Sequence, residues 1–191
     1  MELMEKRIAE QGRVLPGDIL KVDSFLNHQI DVPLLSAAGE EFYNAYRECG
    51  VNKILTIEAS GIGIACLTAR FFHCPVVFAK KTVGRNSDDE CYTTPCVSYT
   101  KMRTYDISVS KRYLLPEDRI LLIDDFLAEG NALAALLDLS KQAGAEVVGC
   151  GVVVEKAYQR GGERIRGMGY RVEALARIRS MDPETGIVFC R

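Results

Sequence analysis

Histidine is scarce in this chain, which has only His28 and His73, and its seven cysteines form no C-x-x-C pair. A Cys/His zinc cluster is therefore poorly supported. The odd set Cys49, Cys66, Cys74, Cys91, Cys96, Cys150 and Cys190 reads as reduced thiols in a reducing compartment. Cys66 and Cys150 lie in apolar contexts and are expected as small core residues. Positive charge is not in excess either: 24 Lys and Arg stand against 26 Asp and Glu, which argues against nucleic acid as the main partner. No stretch approaches the roughly 18 apolar residues of a membrane span. The opening MELMEKRIAEQG is charged throughout and lacks a secretory apolar core. A soluble, cytoplasmic protein is expected, with no membrane contact. No G-x-G-x-x-G follows the first core strand, and there is no repeat or low-complexity tract.

The 191 residues are 48% hydrophobic, which suffices for one well-buried core and makes a single domain over 1–191 the expected organisation. Glu2–Gln11 has helix-forming residues and stops at Gly12. Val14–Ile30 fits neither the helix nor the strand period, yet Val22, Phe25, Leu26 and Ile30 make it too apolar for a solvated loop. It is expected to form an ordered hood packed on the main domain, with its polar Asn27 and His28 solvated or, alternatively, reaching a ligand or a partner subunit. Asp31 can cap a helix beginning Val32-Pro33, and Leu34, Leu35, Ala38, Phe42, Ala45, Tyr46 and Cys49 recur at helical spacing. Ile54–Ile57 reads as a strand running through the turn Glu58–Gly63 into a helix from about Ile64 to Phe72. Such a turn can hold a phosphate, but glycines of this kind often serve only tight packing. Pro75–Ala79 is the next strand, and the long polar run within Lys80–Tyr105 has the character of a lid or binding loop. β propensity resumes at Val97–Thr100 and Asp106–Val109.

The most informative stretch is Ile120–Ala135, ILLIDDFLAEGNALAA. Four apolar residues without alternation read as a strand buried on both faces. It runs into Asp124 and Asp125, then a short loop, then an Ala/Leu helix from near Gly130 to Gly144. In an open α/β fold this is the carboxyl edge of a parallel sheet, where ligands bind, and the helix start is a seat for phosphate. Val147–Val154 is a second buried strand, ending at Glu155 and Lys156. A helix near Glu163–Met168, a strand at Tyr170–Leu175, a turn at Asp182–Gly186 and a strand at Ile187–Phe189 complete the chain. Alternating strands and helices give an α/β fold with a mostly parallel central sheet flanked by helices.

The pattern Ile120–Gly130 resembles the phosphoribosyl-diphosphate signature of the type I phosphoribosyltransferases. The resemblance implies that fold, with a small hood (about residues 12–31 plus the C-terminal segment) and a flexible lid at about 80–105. It implies that Asp124 and Asp125 hold the ribose at the reacting centre, and that Ala128, Glu129, Gly130, Asn131 and Ala132 wrap the 5′-phosphate. Ser60 and Gly61 fall on the pyrophosphate loop, and Lys80, Lys81 or Lys101 would neutralise the leaving group. Magnesium is implied as a cofactor held mainly by substrate oxygens and water, so no metal ligand set is assigned to the protein. One position departs from the commoner pattern. Glu129 stands where many members carry Thr or Ser, so its carboxylate should face solvent while its N–H still donates.

The string LKVDSFLNHQ, with IDDFLA and VVVEK, is similar to the bacterial xanthine-specific branch of that family and extends the likeness over nearly the whole chain. It implies that Leu20, Asn27 and Lys156 contact the purine. The implied reaction converts xanthine and 5-phosphoribosyl 1-diphosphate to xanthosine 5′-monophosphate and pyrophosphate. The alternatives are another purine base (guanine, hypoxanthine or adenine) and a non-catalytic regulator that senses phosphoribosyl diphosphate. Burial of the apolar hood is expected to require a partner subunit, giving a homodimer.

Overall fold

The computed structural model describes residues 1–81, 90–98 and 103–191. The chain opens with helix α1 (Glu2–Gln11), followed by a short antiparallel hairpin of β1 (Arg13–Leu15) and β2 (Ile19–Lys21) and a π-helical turn at Asp23–Asn27. This is the expected hood, and it is ordered by burial of Val22, Phe25 and Leu26. Those three side chains are buried within the single chain, so the hood needs no partner subunit to cover them. Ile30 and Val32, by contrast, are 44% and 55% exposed.

Helix α2 (Val32–Tyr46) begins as its sequence dictates. Asp31 accepts a hydrogen bond from the Leu34 N–H at 3.0 Å, and Pro33 sits in the first turn, where no intrahelical N–H is required. Asp31 also pairs with Arg7 of α1, tying the two helices together. That hydrogen-bonded Arg7 guanidinium, then the Leu34 N–H, hold the Asp31 carboxyl below the usual carboxylate range. Asp31→Ala should therefore cost about 1–2 kcal/mol, read as a lower denaturation midpoint. Because the folded-state value is depressed, this contribution is present above about pH 4. It is lost as pH falls through the lowered value, so the two proteins should converge in acid.

Next come β3 (Lys53–Ile57), α3 (Ser60–Phe72) and β4 (Val76–Lys81), then β5 (Cys91–Ser98) and β6 (Arg103–Ser110). After them follow β7 (Arg119–Leu127), α4 (Asn131–Ala143), β8 (Glu146–Lys156), α5 (Gly161–Gly167), β9 (Val172–Asp182) and β10 (Gly186–Phe189). The main sheet runs β10-β9-β8-β7-β3-β4-β6-β5, with β9 through β4 parallel and an antiparallel strand or pair added at each edge. Successive residues of each central strand go to opposite faces. Leu121 and Ile123 join the core under α1, α2 and α3, while Ile120 and Leu122 join the core under α4 and α5. Both faces are covered, which is why ILLI shows no alternation. Winding from β3 to β4 moves one way along the sheet and winding from β7 through β9 moves the other, so the topological switch lies between β3 and β7.

Several boundaries differ from those expected. Strand β7 continues through both acids to Leu127 because β8 stays paired alongside it, Phe126 against Val154 and Leu127 against Glu155. Helix α3 begins at Ser60, four residues early, despite Gly61 and Gly63. Strand β9 is far longer than Tyr170–Leu175 because β10 folds back on its outer half. Cys150 is buried as expected, but Cys66 is exposed on the outer side of α3. Of the expected lid, Lys80 and Lys81 complete β4, and Cys91–Ser98 pairs along its whole length with Arg103–Ser110. Those parts are sheet rather than loop, with Pro95 tolerated on the edge strand. Residues 82–89 and 99–102, including Lys101, lie outside the described residues.

Candidate active site

Strands β3 and β7 are parallel neighbours, so the loops leaving their carboxyl ends open side by side at the switch point. Between them lies a cleft of about 230 Å³ lined by the continuous run Asp124–Leu133, by Ile57, Glu58 and Ser60, and by Lys81, Cys96, Val97 and Tyr105. Nine of the residues singled out from sequence share this one cleft: Ser60, Lys81, Asp124, Asp125, Ala128, Glu129, Gly130, Asn131 and Ala132.

The two acids are nearly enclosed, Asp124 at 3% and Asp125 at 8% exposure. Asp124 Oδ1 accepts from the Asp125 N–H at 2.9 Å, and Asp125 Oδ1 accepts from the Phe126 N–H at 3.0 Å. Burial pushes the Asp124 carboxyl well up from the usual range, the adjacent Asp125 pushes it further, and Lys81 opposes the rise. A carboxyl raised on folding binds its proton more tightly in the native state. Asp124 therefore costs stability as pH rises through the window above the ordinary carboxylate range, and that cost is relieved in acid.

The phosphate side is built from main chain. Gly130 adopts φ +78° at the start of α4, and no side chain caps that helix. The first-turn N–H groups of α4 thus have no intrahelical acceptor and remain available beside the cleft. Glu129 is half-buried and makes no hydrogen bond or ion pair among the described residues. On the β3 side, the Glu58 carboxylate accepts from the Lys81 N–H at 2.6 Å, locking the end of β4 to the start of the turn. The Glu58–Ala59 peptide bond is cis. Gly61 is a packing glycine: a Cβ there would stand 2.1 Å from Thr56 Oγ1 and 3.4 Å from Asp124 Oδ1. Thr56 Oγ1, buried under it, has no hydrogen-bond partner among the described residues.

Not every expected residue enters the cleft. Lys81 lies over the Tyr105 ring at 5.4 Å, whereas Lys80, next on the strand, turns to the opposite face, over Phe78 at 6.0 Å. The period of two along a strand permits only one of the pair to face the acids. From the hood, Asn27 Nδ2 donates to Asp125 Oδ2 at 3.3 Å. Leu20 is buried in the core beneath the hood, and Lys156 at the end of β8 donates to the Asp18 carbonyl. Burial lowers the Lys156 pKa, with Asp18 pulling the other way. The Asp18 carboxylate also meets Tyr158 Oη and Gln159 Nε2, each at 3.5 Å, so the hood tip is clasped to the segment after β8.

Sequence reasoning gave no role to Tyr105, Cys96 or Thr56. The first two were legible only as alternation in the β5–β6 ribbon, where Thr94 and Cys96, then Ile107 and Val109, turn inward. Burial pushes the Tyr105 hydroxyl up, as do Cys96 and Asp124. It is therefore a neutral donor beside the acids.

The phosphoribosyl transferase domain family model matches residues 34–168. Xanthine phosphoribosyltransferase of Lachnoclostridium phytofermentans is 51% identical over 191 residues, covering 100% of this chain and 98% of that protein. Its counterpart of the same name in Ruminiclostridium cellulolyticum is 53% identical over 182 residues, covering 95% and 96%. Among solved structures, the Giardia lamblia APRTase complexed with 9-deazaadenine matches at TM-score 0.78 and 22% identity, over 91% of this chain and 97% of that one. The Trypanosoma brucei adenine phosphoribosyl transferase, in complex with AMP, pyrophosphate and ribose-5-phosphate, matches at 0.76 and 16%, over 91% and 79%. At those identities the two structures bear on the fold alone.

Proposed function

The chain belongs to the phosphoribosyl transferase domain family, and we propose that it is a pentosyltransferase of purine salvage that uses xanthine. In this reaction N9 of xanthine attacks C1 of the ribose of 5-phosphoribosyl 1-diphosphate. The bond from C1 to the pyrophosphate oxygen breaks, and xanthosine 5′-monophosphate and pyrophosphate are the products. The observation that carries this reading is that the two acids of β7, the open start of α4, Ser60 and Lys81 share one cleft at the switch point.

In this proposal the amides of Ala128–Ala132 hold the 5′-phosphate, while Ser60 and the turn carrying Gly61 take the pyrophosphate. Asp124 and Asp125 supply negative potential to the sugar as positive charge develops at C1, and Lys81 offsets charge on the leaving group. Of Lys80, Lys81 and Lys101, named for this task, Lys101 lies outside the described residues and Lys80 lies on the other face of β4, which favours Lys81. The donor set also suits Mg²⁺. Among the described residues no three His, Cys, Asp or Glu side chains come together as a cage, but the Asp124–Asp125 pair provides oxygens beside a place for a diphosphate. A bound Mg²⁺ would stabilise the charge of the departing pyrophosphate.

Xanthine presents oxygens at C2 and C6, so its pocket needs donors at both. Asn27 spends one amide N–H on Asp125 and retains a second for the base, and Lys156 serves the C6 oxygen. Adenine, with an amine at C6, would leave Lys156 facing a donor, a costly arrangement in a closed site. Guanine differs only at C2 and should be a poorer substrate. Residues 1–191 form one such domain in this reading, with 12–31 and the C-terminal segment as hood. The reading places the protein in the cytoplasm, and the exposed Ile30 and Val32 favour a homodimer, which a monomeric sedimentation profile would reject. Pyrophosphate release with xanthine, guanine, hypoxanthine and adenine in turn tests the activity. Highest turnover is expected with xanthine. Release with no base would leave a phosphoribosyl-diphosphate sensor as the reading, and a preference for adenine would overturn the pocket.

A further inference from the structure

Nothing in the reaction as described uses the charged cluster behind the phosphate loop, and its charges are expensive to bury. Glu155 is 1% exposed at the end of β8. It accepts two hydrogen bonds from Arg166 of α5, at 2.6 and 2.9 Å, and one from Arg177 of β9 at 2.9 Å. Burial works against its ionisation, but the two guanidiniums prevail and hold the carboxyl below the usual range. Gly162 is required beside it, since a Cβ there would lie 1.9 Å from Glu155 Oε1. The short helix α5 is thereby fixed to the sheet.

The opposite side of α5 meets the loop that follows the acids. The Gly161 N–H donates to the Ala128 carbonyl at 2.9 Å, and Arg164 Nη1 donates to Asn131 Oδ1 at 3.0 Å. Both ends of residues 128–131 are therefore tied to one rigid element. The contact is glycine on glycine. A Cβ on Gly161 would stand 2.2 Å from the Ala128 oxygen and 2.6 Å from the Gly130 nitrogen, and a Cβ on Gly130 would stand 3.1 Å from Gly161 Cα. Any side chain at 161 would push on the main chain of residues 128–130, which line the cleft.

We infer that α5 is a positioning element for the 5′-phosphate loop, with Gly161 and Arg164 setting the loop's shape and Glu155 holding α5 in place. This rests on the assignment of residues 128–132 to the 5′-phosphate. Amides aimed at a charged oxygen lose affinity steeply when they are misplaced.

The test compares Gly161→Ala, Arg164→Met, Gly130→Ala and Gly167→Ala in the full chain. Steady-state kinetics, ribose 5-phosphate binding by calorimetry, and melting temperature are the readouts. Gly167 lies in the same helix with open space around its Cα, so Gly167→Ala should match the unmodified chain. Gly161→Ala should raise KM for phosphoribosyl diphosphate and weaken ribose 5-phosphate binding by about tenfold or more, with KM for xanthine little changed. Arg164→Met, which adds no overlap, should move the same two quantities in the same direction at an unchanged melting temperature. It carries the test if Gly161→Ala does not fold. If neither affects ribose 5-phosphate while Gly130→Ala weakens it, the positioning role is overturned and the phosphate assignment stands. If Gly130→Ala also leaves that binding intact, the assignment itself fails and takes the role of α5 with it. A fall in melting temperature with both KM values rising together would mark α5 as merely structural and likewise overturn the inference.

Discussion

Asp125→Asn is expected to lower kcat about 100- to 1000-fold while the protein stays folded. On the proposed function the size follows from removing a fixed charge beside a sugar carbon that becomes positive in the transition state. The substitution is nearly isosteric. An Asn at 125 keeps an oxygen for the Phe126 N–H, and the Asn27 amide can turn to accept from the new NH₂ instead of donating at 3.3 Å. It also removes the neighbour that, after burial, most disfavours ionisation of Asp124, so the melting temperature at neutral pH should not fall. Glu129→Ala provides the contrast. This side chain, which has no hydrogen-bonding or ionic partner among the described residues, should change kcat by no more than about twofold. Initial rates under saturating substrates settle both. A Glu129→Ala loss comparable to that of Asp125→Asn would mean the carboxylate points into the site.

Lys156→Met should reduce kcat/KM for xanthine about 10- to 100-fold, the worth of one hydrogen bond from a charged donor. Methionine retains the apolar stem and length of lysine, so packing beneath the hood is largely preserved. What disappears is the ammonium group, which burial makes easier to deprotonate than an exposed lysine and which rests on the Asp18 carbonyl. If the proposed contact holds, the xanthine-over-adenine ratio should narrow as well, because the one ammonium that would recognise the C6 oxygen and oppose the adenine amine is removed. Measuring kcat/KM for both bases checks this. An unchanged ratio would show that Lys156 does not read the C6 position.

These expectations follow residues whose places could be read in advance to different degrees. The β7 acids and the loop after them were legible because a doubly buried strand, a tight loop and a helix start have local signatures, and local structure followed them apart from a strand end shifted from Asp124 to Leu127. The Asp31 cap was legible for the same reason. The β5–β6 ribbon was legible only in part: Asp106–Val109 lies within β6, but β5 starts well before Val97 and the pairing is set by tertiary register, Cys96 opposite Tyr105. The split between Lys80 and Lys81 was also out of reach until the face of β4 was known. Nor could the sequence show that Gly161 rests on Gly130, for α4 and β8 separate the two along the chain. Of the apolar hood residues, Val22, Phe25 and Leu26 are buried within the single chain while Ile30 is exposed, so three of the four need no second subunit to cover them.

The adjacency of β3 and β7 has a further consequence. Parallel neighbours in a sheet stand about 4.8 Å apart, and this spacing belongs to the backbone rather than to any side chain. In the proposed site the seats for the two ends of the sugar donor grow from these two strands, so their separation would follow the strand spacing rather than any one side chain. The acceptor side has no such constraint. Leu20 and Asn27 come from the hood, and Lys156 stands at a strand end clasped to the hood tip through Asp18. In the proposed site, exchange of a few hood residues would therefore retune which base is accepted while the donor half stays as it is.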